Sequence, residues 1–230
     1  MIIKTFTLTA FQQHTRVVVC ERTGAAICID PGEAAPDIVA FIKDNNYTLQ
    51  AITLTHGHLD HVGGTAYLKQ QFPDAEVIVH PDEEDLYYGL PSQPLFMGIP
   101  QAALESLGLL YERPPQATRS WQHGETYAVG ELKFKVLHCP GHTLGHVVLA
   151  EETERKVFVG DCLFRGSVGR TDLPGGSHEH LMDSITNNIL PLGDDMEVYS
   201  GHGEITTIGA EKASNPFLTG AYEMGRGRFL

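Results

Sequence analysis

Short apolar runs separated by turns open the chain. Ile2 to Thr9, Arg16 to Cys20 and Ala26 to Asp30 are rich in β-branched residues and bounded by polar or glycine-containing turns, which predicts three strands. Asp30-Pro31-Gly32 ends the third run as a turn. The period then changes, and Ile38, Val39, Phe41 and Ile42 form one stripe of a helix from Ala35 to Asp44. Leu49 to Leu54 reads as a strand that runs straight into Thr55-His56-Gly57-His58. Val62 to Phe72 has a helical pattern stopped by Pro73, and Glu76 to Val79 reads as another strand. Between residues 81 and 117, five prolines (Pro91, Pro94, Pro100, Pro114, Pro115) break the pattern into short helices and loops, which reads as a flap. Leu132 to Leu137, His146 to Ala150, Lys156 to Val159 and Glu197 to Tyr199 are further expected strands. Ser177 caps an expected helix reaching Ile189, and a last helix is expected over Ile205 to Ala213. Both halves run strands first and then a helix, with His or Asp just past strand ends. That rhythm predicts an α/β (α+β) protein of two similar layered halves, packed sheet to sheet with helices outside.

Composition narrows the function classes. The 230 residues contain no linker or low-complexity stretch, so 1–230 is expected to be a single domain, with 220–230 a mobile tail or a subunit contact. The formal net charge of −13 disfavours a nucleic-acid backbone or an anionic membrane surface as partner. No apolar run approaches the roughly 20 residues of a membrane span. Met1 to Phe6 lacks the features of a signal peptide, and the expected compartment is the cytoplasm. Four cysteines without a CxxC pair argue against a zinc ribbon or a thioredoxin-like motif.

The unusual count is histidine, at twelve. Three of these and a carboxylate fall in Thr55-His56-Gly57-His58-Leu59-Asp60-His61, between an apolar strand and a helix. Gly57 is expected to let the backbone turn tightly so that the side chains converge. Neutral imidazole and carboxylate suit zinc and similar transition metals. His142, Asp161 and His202 each follow a strand and stand beside glycine. Each alone is a weak signal; together with the first four they make seven candidate ligands, enough for two ions, and the two oxygens of Asp161 could bridge them. His146 is expected to pack behind this set, and His178 and His180 to lie on a solvated face. Tyr87, Tyr88, Phe96 and Met97 are candidates for a substrate mouth or for a hydrophobic patch beneath the flap.

With its ligands in the order His56-x-His58-x-Asp60-His61, His142, Asp161, His202, the chain resembles the metallo-β-lactamase superfamily over most of its length. Gly141-His142-Thr143 and Gly160-Asp161 are similar to the hydroxyacylglutathione hydrolases (glyoxalase II). The tract from Phe164 to Asp172, with Gly201-His202-Gly203 and Asn215-Pro216-Phe217, is closest to their short bacterial subtype. The resemblance implies a four-layer αββα sandwich. It assigns His56, His58 and His142 to one ion, Asp60, His61 and His202 to the other, and Asp161 to both.

Two divalent ions, expected to be zinc with iron or manganese as alternatives, would lower the pKa of a held water towards 7. The resulting hydroxide would attack a thioester carbonyl, with Asp60 as the catalytic residue that orients it. The implied substrate is S-D-lactoylglutathione, cleaved to D-lactate and glutathione. The helical extension that carries basic glutathione-binding residues in longer relatives has no counterpart in 230 residues. Arg170 stands where those relatives carry Lys, and is the candidate substrate-binding residue; the competing reading pairs it with Asp172. Other readings are an iron-dependent persulfide dioxygenase, in which Ser167 replaces a usual Cys, a lactonase or other acyl hydrolase, and a metal-binding regulatory module without turnover.

Overall fold

A computed structural model of the chain describes residues 1–96, 98–106 and 109–222. Met97 and residues 223–230, with most of the expected tail, lie outside the described residues. The chain divides into two compact units, Met1–Trp121 with Ala128–Leu132, and Gln122–Tyr127 with Lys133–Leu230.

The first unit is built on a six-stranded sheet in sequence order: β1 (Ile2–Leu8), β2 (Gln13–Val19), β3 (Ala25–Ile29), β4 (Thr48–Thr53), β5 (Glu76–Val79) and β6 (Arg119–Ser120). β1 to β3 form an antiparallel meander, whereas β3, β4, β5 and β6 run parallel. Helix α1 (Pro36–Asp44) makes the crossover from β3 to β4, and α2 (Leu59–Val62) and α3 (Thr65–Gln71) make the next one. Ile38, Val39 and Ile42 of α1 and Leu68 of α3 pack with Val17, Val19, Cys28 and Ile52 of the strands, all buried. Each large aliphatic side chain so buried contributes about 1.5–3 kcal/mol.

The single helix expected over Val62 to Phe72 is instead two, and the reason is steric. A Cβ on Gly63 would lie 2.4 Å from the Gly32 carbonyl oxygen, and one on Gly64 2.2 Å from that of Glu33. The Gly63-Gly64 break lets the turn after β3 press against the chain, and the Gly64 N–H donates to the Pro31 carbonyl at 2.7 Å. Residues 81–96 form short helical turns, including α4 (Glu84–Tyr88) and α5 (Gln93–Phe96). Tyr87 belongs to a core cluster with Leu54, Leu59 and Val62, so it lies under this segment and does not line a mouth.

The second unit carries most of a six-stranded sheet. Its spatial order is β14 (Thr206–Thr207), β13 (Glu197–Ser200), β10 (Lys156–Gly160), β9 (Val147–Glu151), β8 (Leu132–His138) and β7 (Thr126–Val129). β10 and β13 are parallel, whereas β8, β9 and β10 form antiparallel pairs. Leu181 of α6 (His178–Ser184), Ile185 and Ile189 beyond it, and Ile208 of α7 (Ile208–Ser214) cover one face of the sheet. Ser177 caps α6 as expected, its hydroxyl accepting from the His180 N–H. The helix passes into a π turn at Ile185–Ile189 rather than continuing as α. The last helix begins at Ile208, because Thr206–Thr207 pairs with β13 before the turn starts. A hairpin of β11 (Leu163–Phe164) and β12 (Ser167–Val168) completes the unit.

Candidate metal centre

In both units the predicted ligands sit just past the carboxyl ends of strands, where parallel α/β sheets place their chemistry. In the first unit, β3 and β4 run parallel, so Asp30 and Thr55 emerge side by side. The Asp30 carboxylate accepts from the Thr55 N–H at 2.6 Å, from the Thr55 hydroxyl at 2.7 Å and from His61 Nδ1 at 3.0 Å. The loop that follows gathers all four of its predicted ligands. His56 and His61 rings lie 4.0 Å apart, His56 and His58 rings 4.8 Å apart, and Asp60 Oδ2 is 3.9 Å from His61 Nε2.

Side chains from elsewhere hold this loop. Buried Glu83 accepts from the Gly57 N–H at 2.6 Å. Gln93 accepts from the Leu59 N–H at 2.9 Å and donates to the Gly57 carbonyl at 2.7 Å. The segment read as a flap is therefore also a clamp on the ligand loop. Gly57 serves it by closeness, since a Cβ there would meet Glu83 Oε2 and Leu86 Cβ at 3.0 Å. Its backbone is not among the positive-φ glycines, so it is the missing side chain rather than a left-handed conformation that the loop uses at this position. The hydroxyl of half-buried Tyr111 is pushed up to about 12, first by desolvation and then by the charges of Asp60 and Glu33.

In the second unit, His142, Asp161 and His202 follow β8, β10 and β13. The Gly201 N–H donates to the Gly160 carbonyl at 2.8 Å, continuing the β10–β13 pairing to the edge where Asp161 and His202 emerge. Asp161 Oδ2 stands between two imidazoles, 3.7 Å from His142 Nε2 and 3.5 Å from His202 Nε2. Behind it His146 Nε2 accepts from the Asp161 N–H at 3.1 Å, so this nitrogen is engaged and His146 packs behind the set as expected. Gly169 lies against the same residues: a Cβ there would be 1.9 Å from the Asp161 carbonyl oxygen and 3.3 Å from His142 Nδ1. Farther back, buried Glu211 accepts from Gly166 N–H, Thr206 Oγ1 and Asn215 Nδ2, which ties α7 to the β11–β12 hairpin.

The hydrogen bonds also decide where three ring protons sit. A carboxylate only accepts, so His61 Nδ1 carries the proton it gives Asp30. A carbonyl only accepts, so His142 Nδ1 carries the proton it gives Arg170 O at 2.8 Å. The Thr55 hydroxyl spends its proton on Asp30 and therefore accepts from His56 Nδ1 at 3.0 Å. In all three rings the lone pair is left on Nε2, the arrangement by which a ligating histidine is oriented by a carboxylate, carbonyl or hydroxyl behind it. With neighbouring carboxylates, this donor set fits borderline divalent metals.

Asp30, Glu83 and Gln93 were not singled out by sequence. The one available signal was Asp30 itself, an acid directly after an apolar strand, as Asp161 is. Arg170 makes a bidentate pair with Asp172, Nε to Oδ1 at 2.7 Å and Nη2 to Oδ2 at 2.9 Å, while its carbonyl holds His142. Arg165 pairs with Glu204.

A family model described as the metallo-beta-lactamase superfamily matches residues 9–202, a span containing all seven predicted ligands. The chain belongs to that superfamily. Among curated relatives, hydroxyacylglutathione hydrolase GloC of Haemophilus influenzae is 41% identical over 222 residues, covering 95% of this chain and 98% of its own. Two solved structures share the fold. The BLEG-1 B3 metallo-beta-lactamase superposes with a TM-score of 0.82 at 34% identity, covering 95% of this chain and all of its own. TTHA1623 in a di-iron-bound form gives 0.79 at 36% identity, covering 94% of this chain and all of its own. The chain is thus a metallo-hydrolase with the metallo-β-lactamase fold, and its His and Asp clusters fit a dinuclear site. Among the described residues, no helix is long and apolar enough to cross a membrane.

Proposed function

We propose that residues 1–230 act as one catalytic domain in the cytoplasm, hydrolysing S-D-lactoylglutathione to D-lactate and glutathione. His56, His58 and His142 would hold one divalent ion, Asp60, His61 and His202 the other, and Asp161 both. Zinc is the proposed metal, and the same donors accept iron or manganese. The reading is carried by the likeness to the Haemophilus influenzae hydroxyacylglutathione hydrolase over almost the whole of both chains. When bound, the ions supply an acidified water and an electrophile for the acyl oxygen.

The chain's residues have their own tasks. His56, His61 and His142 keep their protons on Nδ1 and their lone pairs on Nε2. Asp60, half-buried at the start of α2, orients the attacking water and takes up its proton. The departing thiolate needs little help from an acid, because a thiol pKa lies near 8.5. Arg170 binds the substrate through the donors that Asp172 leaves open. The test is turnover of S-D-lactoylglutathione by metal-loaded protein against the same protein stripped of metal. Turnover by the loaded form alone is expected, and no difference between the two overturns the reading.

A second reading rests on the likeness to ETHE1 from Myxococcus xanthus, which superposes with a TM-score of 0.76 at 27% identity, covering 96% of this chain and 85% of its own. His56, His142 and Asp161 make a two-His, one-carboxylate set suited to a single iron, as in an iron-dependent persulfide dioxygenase. Oxygen uptake with glutathione persulfide, together with one iron per chain, would replace the hydrolase reading. Lactones and a β-lactam complete the substrate panel, since each presents an acyl centre.

A further inference from the structure

Beside the His142–Asp161 group the second unit has a cavity of about 420 Å³, within the roughly 300–1,000 Å³ of small-molecule sites. Gly169, Arg170, Asp172, His178, Phe217 and Tyr222 line it. The wall is tied to the predicted ligands by main chain, because Gly169 abuts the Asp161 carbonyl and the Arg170 carbonyl holds His142. Phe217 and Tyr222 are stacked at 4.3 Å, and His178 meets Phe217 edge-on at 6.4 Å, which makes one side aromatic.

Charge in this cavity comes as a fixed pair. Arg170 has five N–H donors, of which Asp172 engages two, and the carboxylate retains outward lone pairs. The Arg170 pairing holds Asp172 well below the usual carboxylate range, at about 2, so the pair stays ionised at any working pH. A cation and an anion held side by side are complementary to a ligand that presents the reverse pair. A purely anionic carrier, such as the phosphates of a coenzyme A thioester, gains from Arg170 and loses against Asp172.

We infer that this cavity receives the α-amino-acid end of a glutathione-type carrier, its carboxylate against Arg170 and its ammonium against Asp172. The inference rests on the thioesterase reading and adds to it which end of the carrier meets Arg170 and that Asp172 selects its amine.

The test compares S-D-lactoylglutathione with the analogue in which the γ-glutamyl α-amine is replaced by hydrogen. The same pair is compared in binding, using uncleavable S-methylglutathione and its des-amino form by calorimetry. Wild type is expected to favour the amine about tenfold in KM and Kd. D172N should erase that preference in both KM and Kd, and D172E should restore it. A preference that survives in folded D172N, checked by its melting curve, or that is missing from wild type overturns the inference. Amine-selective binding lost in D172N, without turnover of any thioester, would leave the inference standing and remove the hydrolase reading.

Discussion

The two groups of predicted ligands are held by different means. In the first unit four ligands lie within six residues, and side chains from Asp30, Glu83 and Gln93 hold the loop that carries them. In the second unit three predicted ligands come from three separate strand ends, and apart from the His146 ring behind Asp161 it is main chain that holds them: the Arg170 carbonyl on His142, the Gly160–Gly201 bond and the close approach of Gly169. A side-chain clamp can be removed by exchanging one oxygen for nitrogen. A main-chain clamp is displaced only by adding atoms.

Removing the metals should have the largest effect and strike both groups together. Chelation is expected to abolish hydrolysis. Ions present at about a thousandfold over Kd contribute about 4 kcal/mol, so the melting temperature should fall by roughly 10 °C. An unchanged melting curve would show that the ligand groups hold themselves without ions.

Asp30→Asn then separates the groups. The Thr55 N–H at Oδ1 is a fixed donor, so the new amide nitrogen takes the Oδ2 position, where it faces both the Thr55 hydroxyl and His61 Nδ1, which donate to Asp30. His61 loses the partner that keeps its proton on Nδ1. Metal content should fall from two towards one per chain and kcat/KM by about a hundredfold. Two tightly held ions in this variant would break the contrast drawn above.

Gly169→Ala attacks the other group. Its methyl, 1.9 Å from the Asp161 carbonyl, forces that strand end to shift, and a displacement approaching 1 Å is expected to cost ten- to a hundredfold in kcat. Both ions should remain measurable, in contrast to Asp30→Asn.

The smallest effect concerns pH. The folded pKa of Asp172 is depressed, so its pairing with Arg170 is present above the ordinary carboxylate range and is lost only as pH falls through about 2. Metal ligands must be deprotonated to bind, so acid releases the ions. Activity should therefore decline with acidification together with metal content, while KM measured on the metal-loaded fraction stays level down to pH 5. A KM that rises in parallel with metal loss would mean that the cavity titrates too.

How legible this was depended on whether the cause was local. The candidate ligands could be picked out because Thr55 to His61 is contiguous and because His142, Asp161 and His202 keep their glycine neighbours. The long strands were read within a few residues, since period-2 apolar runs are a local property. Asp30 was read as a turn residue because Asp-Pro-Gly is turn chemistry by itself. Its role depends on the β3–β4 register, which no short window contains. Glu83 and Gln93 were hidden for a similar reason, in a proline-broken segment whose partners lie 26 and 34 residues earlier. The division of the expected helix at Gly63-Gly64 needed the backbone of Gly32 and Glu33 to be in place. The strand β14 is only two residues long and leaves no period to detect.

Arg170 faces two ways: its carbonyl anchors His142, and its side chain meets the cavity. Every residue type has that carbonyl, so residue 170 can change identity without loosening the ligand. Descendants of this sequence are free to rewrite what the cavity accepts while inheriting the reaction centre intact. A tract built in this way lets new substrates be explored by single substitutions, with selection on the chemistry left undisturbed.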